Sequence, residues 1–289
     1  MVKAAFIGLG VMGYPMAGHM AAKGHEVKVY NRSGGKAVGW AQEHGGIAKG
    51  TPREAAMDAD VVMVCVGNDD DVRSVVYGDT GVIAGMKDGA ILVDHTTASA
   101  ELARELDAKC KKHGLGFVDA PVSGGQAGAE GGKLTVMCGG AVRDFSIAEP
   151  VMQSYGRAVT LMGPAGSGQL TKMVNQICIA GLLQALSEGV NFAMKAGLDT
   201  DKVVEVISKG AAQSWQMENR WHTMVKGEFD FGFAVDWMRK DLSICFAEAQ
   251  RNGAALPATA MVDQLYRLVQ QQGGNRFDTS SLLVNLKER

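Results

Sequence analysis

The stretch Gly8-Leu9-Gly10-Val11-Met12-Gly13 decides the class of fold that this sequence predicts. It stands between an apolar run, Val2–Gly8, and a helical pattern, Met12–Lys23. In a G-x-G-x-x-G loop at such a junction, the first glycine permits a tight turn and the second lets the backbone approach a pyrophosphate. The third allows close packing of helix on strand, and the helix N-terminus favours negative charge. The stretch therefore predicts a dinucleotide-binding loop, with a purely structural turn as the alternative.

The end of the next strand-like run, Glu26–Tyr30, indicates which dinucleotide is preferred. An acidic residue normally stands there and hydrogen-bonds the adenosine ribose of NAD. This sequence instead reads Asn31-Arg32-Ser33, so no carboxylate would repel a 2′-phosphate. The Arg32 guanidinium suits such a phosphate, and Ser33 adds a donor, although Arg32 could equally be a solvated loop charge. We predict NADP as the preferred cofactor, with NAD as the alternative.

Short apolar runs alternate with helical patterns up to about residue 163. Most of these runs are almost continuously apolar, as in strands that are covered on both faces. Their alternation with helices predicts right-handed parallel crossovers, and hence an α/β doubly wound sheet of Rossmann type that the last two runs extend. The seven runs are Val2–Gly8, Glu26–Tyr30, Val61–Val66, Ile91–Asp94, Gly116–Asp119, Leu134–Cys138 and Ala158–Met162.

The character of the chain changes after Gly163-Pro164, because no strand-like run follows. A long helical pattern covers Gln169–Ala196, and further helical patterns cover Thr200–Lys209, Val235–Asn252 and Pro257–Gln272. We predict two domains: a dinucleotide-binding domain over residues 1–164 and an all-α domain over residues 165–289. The long helix joins them.

Composition excludes several classes of protein. The 289 residues are 46% hydrophobic and carry a net charge of −2, which disfavours a nucleic-acid partner. The sequence shows no signal peptide and no run of about 20 apolar residues, so we expect a cytoplasmic protein without a membrane partner. The five cysteines form no C-x-x-C pair, which indicates reduced thiols and predicts no metal site.

Two further segments carry candidate site residues. In Asp119-Ala120-Pro121-Val122-Ser123-Gly124-Gly125, the two glycines free backbone N–H groups and Ser123 adds a hydroxyl, which suits a substrate carboxylate; a tight loop before an extension over Gln126–Lys133 is the alternative. On the long helix, Lys172, Asn175 and Gln176 share one face. A lysine among apolar positions favours its neutral form and suits proton transfer, unless it extends to solvent at a domain junction.

These segments, in this order, resemble the β-hydroxyacid dehydrogenase family over essentially the whole chain. The resemblance rests on Phe6–Met16, Asp119–Gly125, Gly166–Asn175 and Lys240-Asp241-Leu242. It implies that Lys172 is the catalytic lysine and that Ser123, Gly124 and Gly125 hold the substrate carboxylate. It also implies that Asn175 or Gln176 lies near the substrate, and that Thr97 and Lys240 contact the nicotinamide cofactor.

The sequence departs from the family pattern at two places. His95-Thr96 stands where many members have Met-Ser or Ser-Ser, so His95 is either a second proton-transfer group or a spacer at the strand end. The amide pair is Asn175 and Gln176, whereas some members carry two asparagines. The sequence therefore leaves open which amide touches the substrate.

The predicted activity is reversible hydride transfer between NADP(H) and a short β-hydroxy acid, with Lys172 as general acid and base. Asn175 and Ser123 would assist it, and the substrate would be a small carboxylate. An imine reductase-like enzyme and a non-catalytic dinucleotide-binding scaffold are the alternatives, and Lys172 counts against both. The long apolar helix, like the resemblance, predicts a homodimer or homotetramer.

Overall fold

The computed structural model describes residues 1–286, and the chain divides into two units, Met1–Lys172 and the part from Met173 onward. The strands of the described part all lie in the first unit. They are β1 (Lys3–Ile7), β2 (Glu26–Tyr30), β3 (Ile47–Ala48), β4 (Val61–Val64), β5 (Ile91–Asp94), β6 (Gly116–Asp119), β7 (Val122–Ser123), β8 (Leu134–Gly140) and β9 (Gly156–Gly163).

Twelve α-helices and one 3-10 helix complete residues 1–286. The α-helices are α1 (Gly13–Ala22), α2 (Gly34–His44), α3 (Pro52–Ala56), α4 (Asp69–Val76), α5 (Ala100–Lys112), α6 (Gly125–Glu130), α7 (Val142–Met152), α8 (Ser167–Lys195), α9 (Thr200–Ile207), α10 (Trp215–Lys226), α11 (Val235–Asn252) and α12 (Pro257–Gln271). The 3-10 helix covers Thr279–Leu286.

The strands form one sheet in the order β3-β2-β1-β4-β5-β6-β8-β7, and β9 pairs with β8. Strands β1 to β6 are parallel, and the order 3-2-1-4-5-6 is that of a doubly wound dinucleotide-binding sheet. Along β1, Ala4 and Phe6 pack in one core while Ala5 and Ile7 pack in another. Both faces of the sheet are therefore covered, which confirms the predicted Rossmann-type fold and its seven strand-like runs.

The direction of β8 differs from the expectation of parallel crossovers throughout. β8 runs antiparallel to β6 and β7, with Val122 opposite Val136. A parallel connection usually consists of a dozen or more residues built around an α-helix that returns the chain across the face of the sheet. The connection from β6 to β8 instead contains the two-residue β7, which itself pairs antiparallel with β8, and the short helix α6, so the chain folds back on itself. The extension that was the alternative expectation for Gln126–Lys133 is mostly helical, because α6 covers Gly125–Glu130.

The second unit is built from helices alone within the described residues. Ala180 and Leu183 of α8 pack with Met238 and Leu242 of α11 and with Tyr266 of α12. Helix α10 belongs to this unit and is absent from the sequence-based expectations. Its sequence, Trp215–Lys226, carries an apolar stripe at Met217, Trp221 and Met224.

Helix α8 is the one helix of residues 1–286 that is long and apolar enough, by length and composition, to cross a membrane. Such a segment was not expected, because the sequence contains no uninterrupted run of about 20 apolar residues. Ala180, Leu183 and Val190 of α8 are fully buried, and 39% of the apolar window that meets this criterion is buried.

Candidate functional site

The glycine loop between β1 and α1 has the shape that a dinucleotide requires. Gly8 has a φ of +98°, and a Cβ added to it would overlap the carbonyl oxygen of Cys65. A Cβ on Gly13 would overlap the carbonyl oxygen of Gly8, so no side chain fits there either. A Cβ on Gly10 would meet nothing within 4 Å. The loop is thus packed at its first and third glycines and open at the second, where a pyrophosphate would approach.

Helix α1 begins beside this opening. Met12 precedes the helix and offers no side-chain acceptor to its first N–H groups, and no acidic residue stands in the first turn. Val11 is exposed, whereas Leu9 is fully buried and anchors the loop in the core. An uncapped helix N-terminus without acidic neighbours is suited to an anion. The residues from Gly8 to Gly13 therefore fit the diphosphate of a nicotinamide dinucleotide.

The end of β2 joins this loop through Asn31. Its Oδ1 accepts a hydrogen bond from the Leu9 N–H at 2.9 Å, and its Nδ2 donates to the Ser33 carbonyl at 3.2 Å. The Arg32 side chain is 92% exposed, and its nearest carboxylate is that of Asp71 at 4.0 Å. An exposed guanidinium with one loose acidic neighbour is available to a phosphate. Asn31 acts on the loop, while Arg32 and Ser33 face outward.

The loop after β5 carries Thr97 and is fixed by its neighbours. The Thr96 N–H donates to the Asp94 carboxylate at 2.9 Å, and the Thr96 hydroxyl accepts from the Val66 N–H at 3.0 Å. Burial raises the pKa of Asp94 to about 7, and the hydrogen bonds from Thr96 oppose that rise. Thr97 is partly exposed, while Thr96 and Ala98 are buried. Thr97 is therefore more exposed than the residues on either side of it.

The predicted substrate loop follows β7. Ser123 is half-buried, and the two glycines after it both have positive φ values, +132° at Gly124 and +60° at Gly125. Side chains rarely adopt this backbone conformation, so glycine is required at both positions. The loop leads into α6, whose last turn is bound by His19 of α1: the imidazole Nε2 lies 3.0 Å from the carbonyl oxygens of Ala129 and Glu130. This link between the two loops joins residues about 110 positions apart and was not predicted from the sequence.

Asp119 holds the start of α8 against the sheet. Its fully buried carboxylate accepts the N–H groups of Gly166 at 2.7 Å and Gln169 at 2.9 Å. Burial raises the pKa of Asp119 to about 6, while these backbone donors hold it down. A Cβ on Gly168 would overlap the Met137 carbonyl oxygen, so glycine permits this close approach. This role of Asp119 could not be predicted from the motif Asp119–Gly125 alone, because its partners lie about 50 residues away in sequence.

Lys172 lies in the first turns of α8, and only 7% of the residue is exposed. The helix is tied to β6 through Asp119 and Gln169, so its backbone is fixed relative to the sheet. Burial of an ammonium group is costly unless a partner or ligand meets it. The first unit thus carries the glycine loop, the Thr97 and Ser123 loops and the buried Lys172.

The second unit carries the other three predicted positions. Asn175 is half-buried and donates through Nδ2 to the Gln176 Oε1 at 2.9 Å. Gln176 is buried and donates to the Asp241 carboxylate at 2.6 Å. The Lys240 ammonium lies 2.9 Å from the other oxygen of Asp241. The Gln176 side chain is therefore hydrogen-bonded to the Lys240-Asp241 segment, and Asn175 is the more exposed of the two amides.

Comparisons with known proteins cover nearly the whole chain. A family model described as the NAD binding domain of 6-phosphogluconate dehydrogenase matches residues 3–163. A second, described as the NAD-binding domain of NADP-dependent 3-hydroxyisobutyrate dehydrogenase, matches residues 166–286. The chain belongs to the β-hydroxyacid dehydrogenase family. It is an NAD(P)-dependent oxidoreductase acting on a hydroxy acid, and its cofactor is a nicotinamide dinucleotide.

Relatives of this dehydrogenase include an uncharacterized oxidoreductase of Shewanella frigidimarina, 61% identical over 100% of this chain and 99% of its own. The 2-hydroxy-3-oxopropionate reductase of Escherichia coli is 32% identical over 99% and 97%. The structure of Mycobacterium tuberculosis 3-hydroxyisobutyrate dehydrogenase with L-serine has a TM-score of 0.89 at 28% identity, covering 100% of both chains. An imine reductase from Myxococcus stipitatus, at 17% identity and a TM-score of 0.66 over 99% and 100%, shares the fold alone.

His95 of this dehydrogenase lies in the sheet core. Its Nδ1 is 2.6 Å from the Ala120 carbonyl oxygen, and its Nε2 is 2.7 Å from the Tyr155 hydroxyl. Because a carbonyl only accepts, Nδ1 carries the proton and Nε2 accepts from Tyr155. Both ring nitrogens are engaged inside the protein, which favours the spacer over the second proton-transfer group. Burial lowers the pKa of His95 to about 4, although the bond to Ala120 opposes that fall.

This lowered pKa predicts a pH effect on stability. The unfolded chain takes up a proton on His95 near pH 6.5 and the folded protein only near pH 4, so His95 removes stability as the pH falls between these values. Asp94 and Asp119 have raised pKa values and act in the opposite direction. When the pH is lowered from 7 to 5, we expect the free energy of unfolding of His95→Gln to rise by about 2 kcal/mol relative to that of the wild type. Urea unfolding at both pH values measures this difference, and an equal difference at both would contradict the assignment.

Proposed function

We propose that the chain interconverts a short β-hydroxy acid and its semialdehyde, with NADP(H) as the preferred cofactor. The observation that carries the proposal is the burial of Lys172 on a helix held at the carboxyl edge of the sheet. Ligands of doubly wound sheets bind at that edge. The relatives named for 3-hydroxyisobutyrate and 2-hydroxy-3-oxopropionate support a substrate of this class.

Each proposed site residue has a definite task. The Ser123 hydroxyl and the N–H groups of Gly124 and Gly125 bind the substrate carboxylate and orient its carbonyl carbon. Lys172 donates a proton to the carbonyl oxygen as it becomes an alkoxide, and in the oxidation direction it accepts that proton back. Asn175 orients the carbonyl oxygen of the substrate, rather than Gln176, whose amide is hydrogen-bonded to Asp241. When bound, the nicotinamide supplies or accepts the hydride.

The cofactor residues divide between the two units. In the first unit we assign Gly8, Leu9, Gly10, Val11, Met12 and Gly13 to the diphosphate, Asn31, Arg32 and Ser33 to the adenosine end, and Thr97 to the nicotinamide end. In the second we assign Lys240. On this proposal residues 1–164 form the dinucleotide-binding domain and residues 165–289 the helical substrate domain, in a cytoplasmic enzyme.

A substrate panel tests the proposal. Purified protein with NADPH is offered semialdehydes of two to four carbons, the matching aldehydes without a carboxylate, and cyclic imines. We expect oxidation of NADPH with at least one semialdehyde, and a rate at least tenfold lower with its carboxylate-free counterpart. Faster turnover of a cyclic imine would favour the imine reductase alternative. Oxidation with none of them, despite NADPH binding, would favour the non-catalytic scaffold.

We also propose that the enzyme is a homodimer or homotetramer. Val174 and Phe192 of α8 are exposed, and Phe192 is 72% exposed. The two are separated by about five helical turns, so they lie on one face of the helix. Large apolar residues exposed on one helix face are typical of an interface. Phe192→Glu should at least halve the mass measured by light scattering at micromolar concentration. Val142→Glu, an equally exposed position on α7, should leave the mass unchanged, and a monomeric wild type would refute the assembly.

A further inference from the structure

The backbone on either side of Thr97 is bound by one side chain, the amide of Gln169. The Ala98 N–H donates to the Gln169 Oε1 at 3.1 Å, and the Gln169 Nε2 donates to the Thr96 carbonyl oxygen at 2.7 Å. The residues on the two sides of the contact are 71 and 73 positions apart in sequence. An amide offers a donor and an acceptor on one planar group, which is what this pair of backbone groups requires.

Burial makes this contact decisive for the loop. Gln169, Thr96 and Ala98 are each about 1% exposed, so water does not reach the two backbone groups. Without the amide, one buried N–H and one buried carbonyl would lose the only partners the structure gives them here, and the loop would move to satisfy them. Thr97, between them, is partly exposed. The direction in which Thr97 points thus depends on Gln169.

Gln169 also connects this loop to the other parts of the candidate site. Its own N–H donates to the Asp119 carboxylate at 2.9 Å, at the end of β6 from which the Ser123 loop departs. Lys172 follows three residues later on α8, on the same side of the helix. One residue therefore touches the ends of two neighbouring strands and the helix turn that carries the lysine.

We infer that Gln169 is a positioning residue, which sets the Thr97 loop against the helix turn of Lys172 so that nicotinamide and acid are held in reacting geometry. The inference rests on the proposed function. It makes Gln169 act through Thr97 and Lys172 and not on the substrate itself. Hydride transfer is sensitive to such placement, because a displacement of about 1 Å can cost about a hundredfold in rate.

The first test removes the amide without a large change in volume. Gln169→Leu should slow single-turnover oxidation of NADPH at least tenfold, while the Kd for NADPH changes less than threefold because the glycine loop is intact. In the protein without cofactor, amide hydrogen exchange over residues 95–99 should speed up. Gln184→Leu is the control, since Gln184 is a buried amide of the same helix that donates to Glu188, one turn further along that helix. It should change neither measurement.

The second test uses the conservative variant Gln169→Glu. A protonated carboxyl group can donate to the Thr96 carbonyl and accept from Ala98, but an ionised one cannot donate and repels the carbonyl. The titratable groups around position 169 are Asp119 and Asp94 at the ends of the adjoining strands and Lys172 on α8. The rate of this variant relative to the wild type should fall at least tenfold between pH 5.5 and pH 8.5.

The outcomes separate this inference from the proposed function. Hydride transfer by Gln169→Leu within twofold of the wild type would overturn the inference, and so would a rate ratio for Gln169→Glu that does not change with pH. If Gln169→Leu does not fold, the pH series decides alone. A wild type that turns over no aldehyde contradicts the proposed function. The inference then depends on hydrogen exchange over residues 95–99, and equal exchange in Gln169→Leu and wild type would overturn it.

Discussion

Lys172→Ala is expected to reduce the rate of hydride transfer at least ~10²-fold while NADPH still binds. The variant lacks the general acid but keeps the glycine loop, in which Gly8 and Gly13 are fixed by packing that does not involve α8. Single-turnover oxidation of NADPH at saturating semialdehyde measures the transfer, and fluorescence titration measures the binding. Lys172→Arg should recover little activity, because a guanidinium does not give up its proton near neutral pH.

Chemical rescue distinguishes loss of the acid from loss of structure. A small primary ammonium ion that enters the space left by Lys172→Ala can donate the missing proton, so added methylammonium should raise the rate in proportion to its concentration. Asn175→Ala, which removes an orienting amide, should cost less than Lys172→Ala. Hydride transfer near the wild-type rate in Lys172→Ala would refute the role of the lysine. His95 could not replace it as donor, because both of its ring nitrogens bind groups within the sheet core.

Arg32→Ala is expected to lower kcat/KM with NADPH about tenfold to a hundredfold, the range for a hydrogen bond to a charged group. The same variant should leave kcat/KM with NADH within about threefold, because NADH carries no 2′-phosphate. Steady-state kinetics with both cofactors give the ratio. A wild type that prefers NADH, or an Arg32→Ala variant that loses activity equally with both, would refute the assignment of Arg32.

The neighbouring carboxylate of Asp71 provides a matched pair of controls. Asp71 lies 4.0 Å from the Arg32 guanidinium and would stand near a bound phosphate, so Asp71→Asn should raise kcat/KM with NADPH about twofold to threefold. Asp70 is the adjacent residue, but its carboxylate lies 3.5 Å from Arg73. Asp70→Asn should therefore leave the preference between the two cofactors unchanged.

The parts of the fold that could be predicted from sequence are those set by local pattern. A buried parallel strand reads as a short apolar run, and each of the seven runs is a strand. The direction of β8 was not predictable in this way, because it depends on the structure that the connection from β6 adopts and not on the residues of β8. Helix α4 is absent from the sequence-based expectations, although the three aspartates of its first turn, Asp69, Asp70 and Asp71, favour a helix N-terminus.

The candidate site also has parts that were predictable from local sequence and parts that were not. The glycine loop and Lys172 were found from spacing within a dozen residues of sequence. The contacts that fix them join residues far apart, such as Asp119 with Gly166 and Gln169 with Ala98. A single sequence does not show which distant residues are in contact. The structural roles of Asp119 and Gln169 were therefore not predictable, although both residues lie in motifs.

The boundary between the two units lies inside α8 and not in a loop, and this restricts how the gene can change. Domains joined by flexible linkers tolerate insertions, deletions and exchange of whole domains between relatives. Here, one codon added after Lys172 would turn every later side chain of the helix by about 100° around its axis relative to the lysine. Recombination between members of this family should therefore succeed only where the crossover leaves the number of residues in the helix unchanged. Insertions and deletions should accumulate in the loops instead.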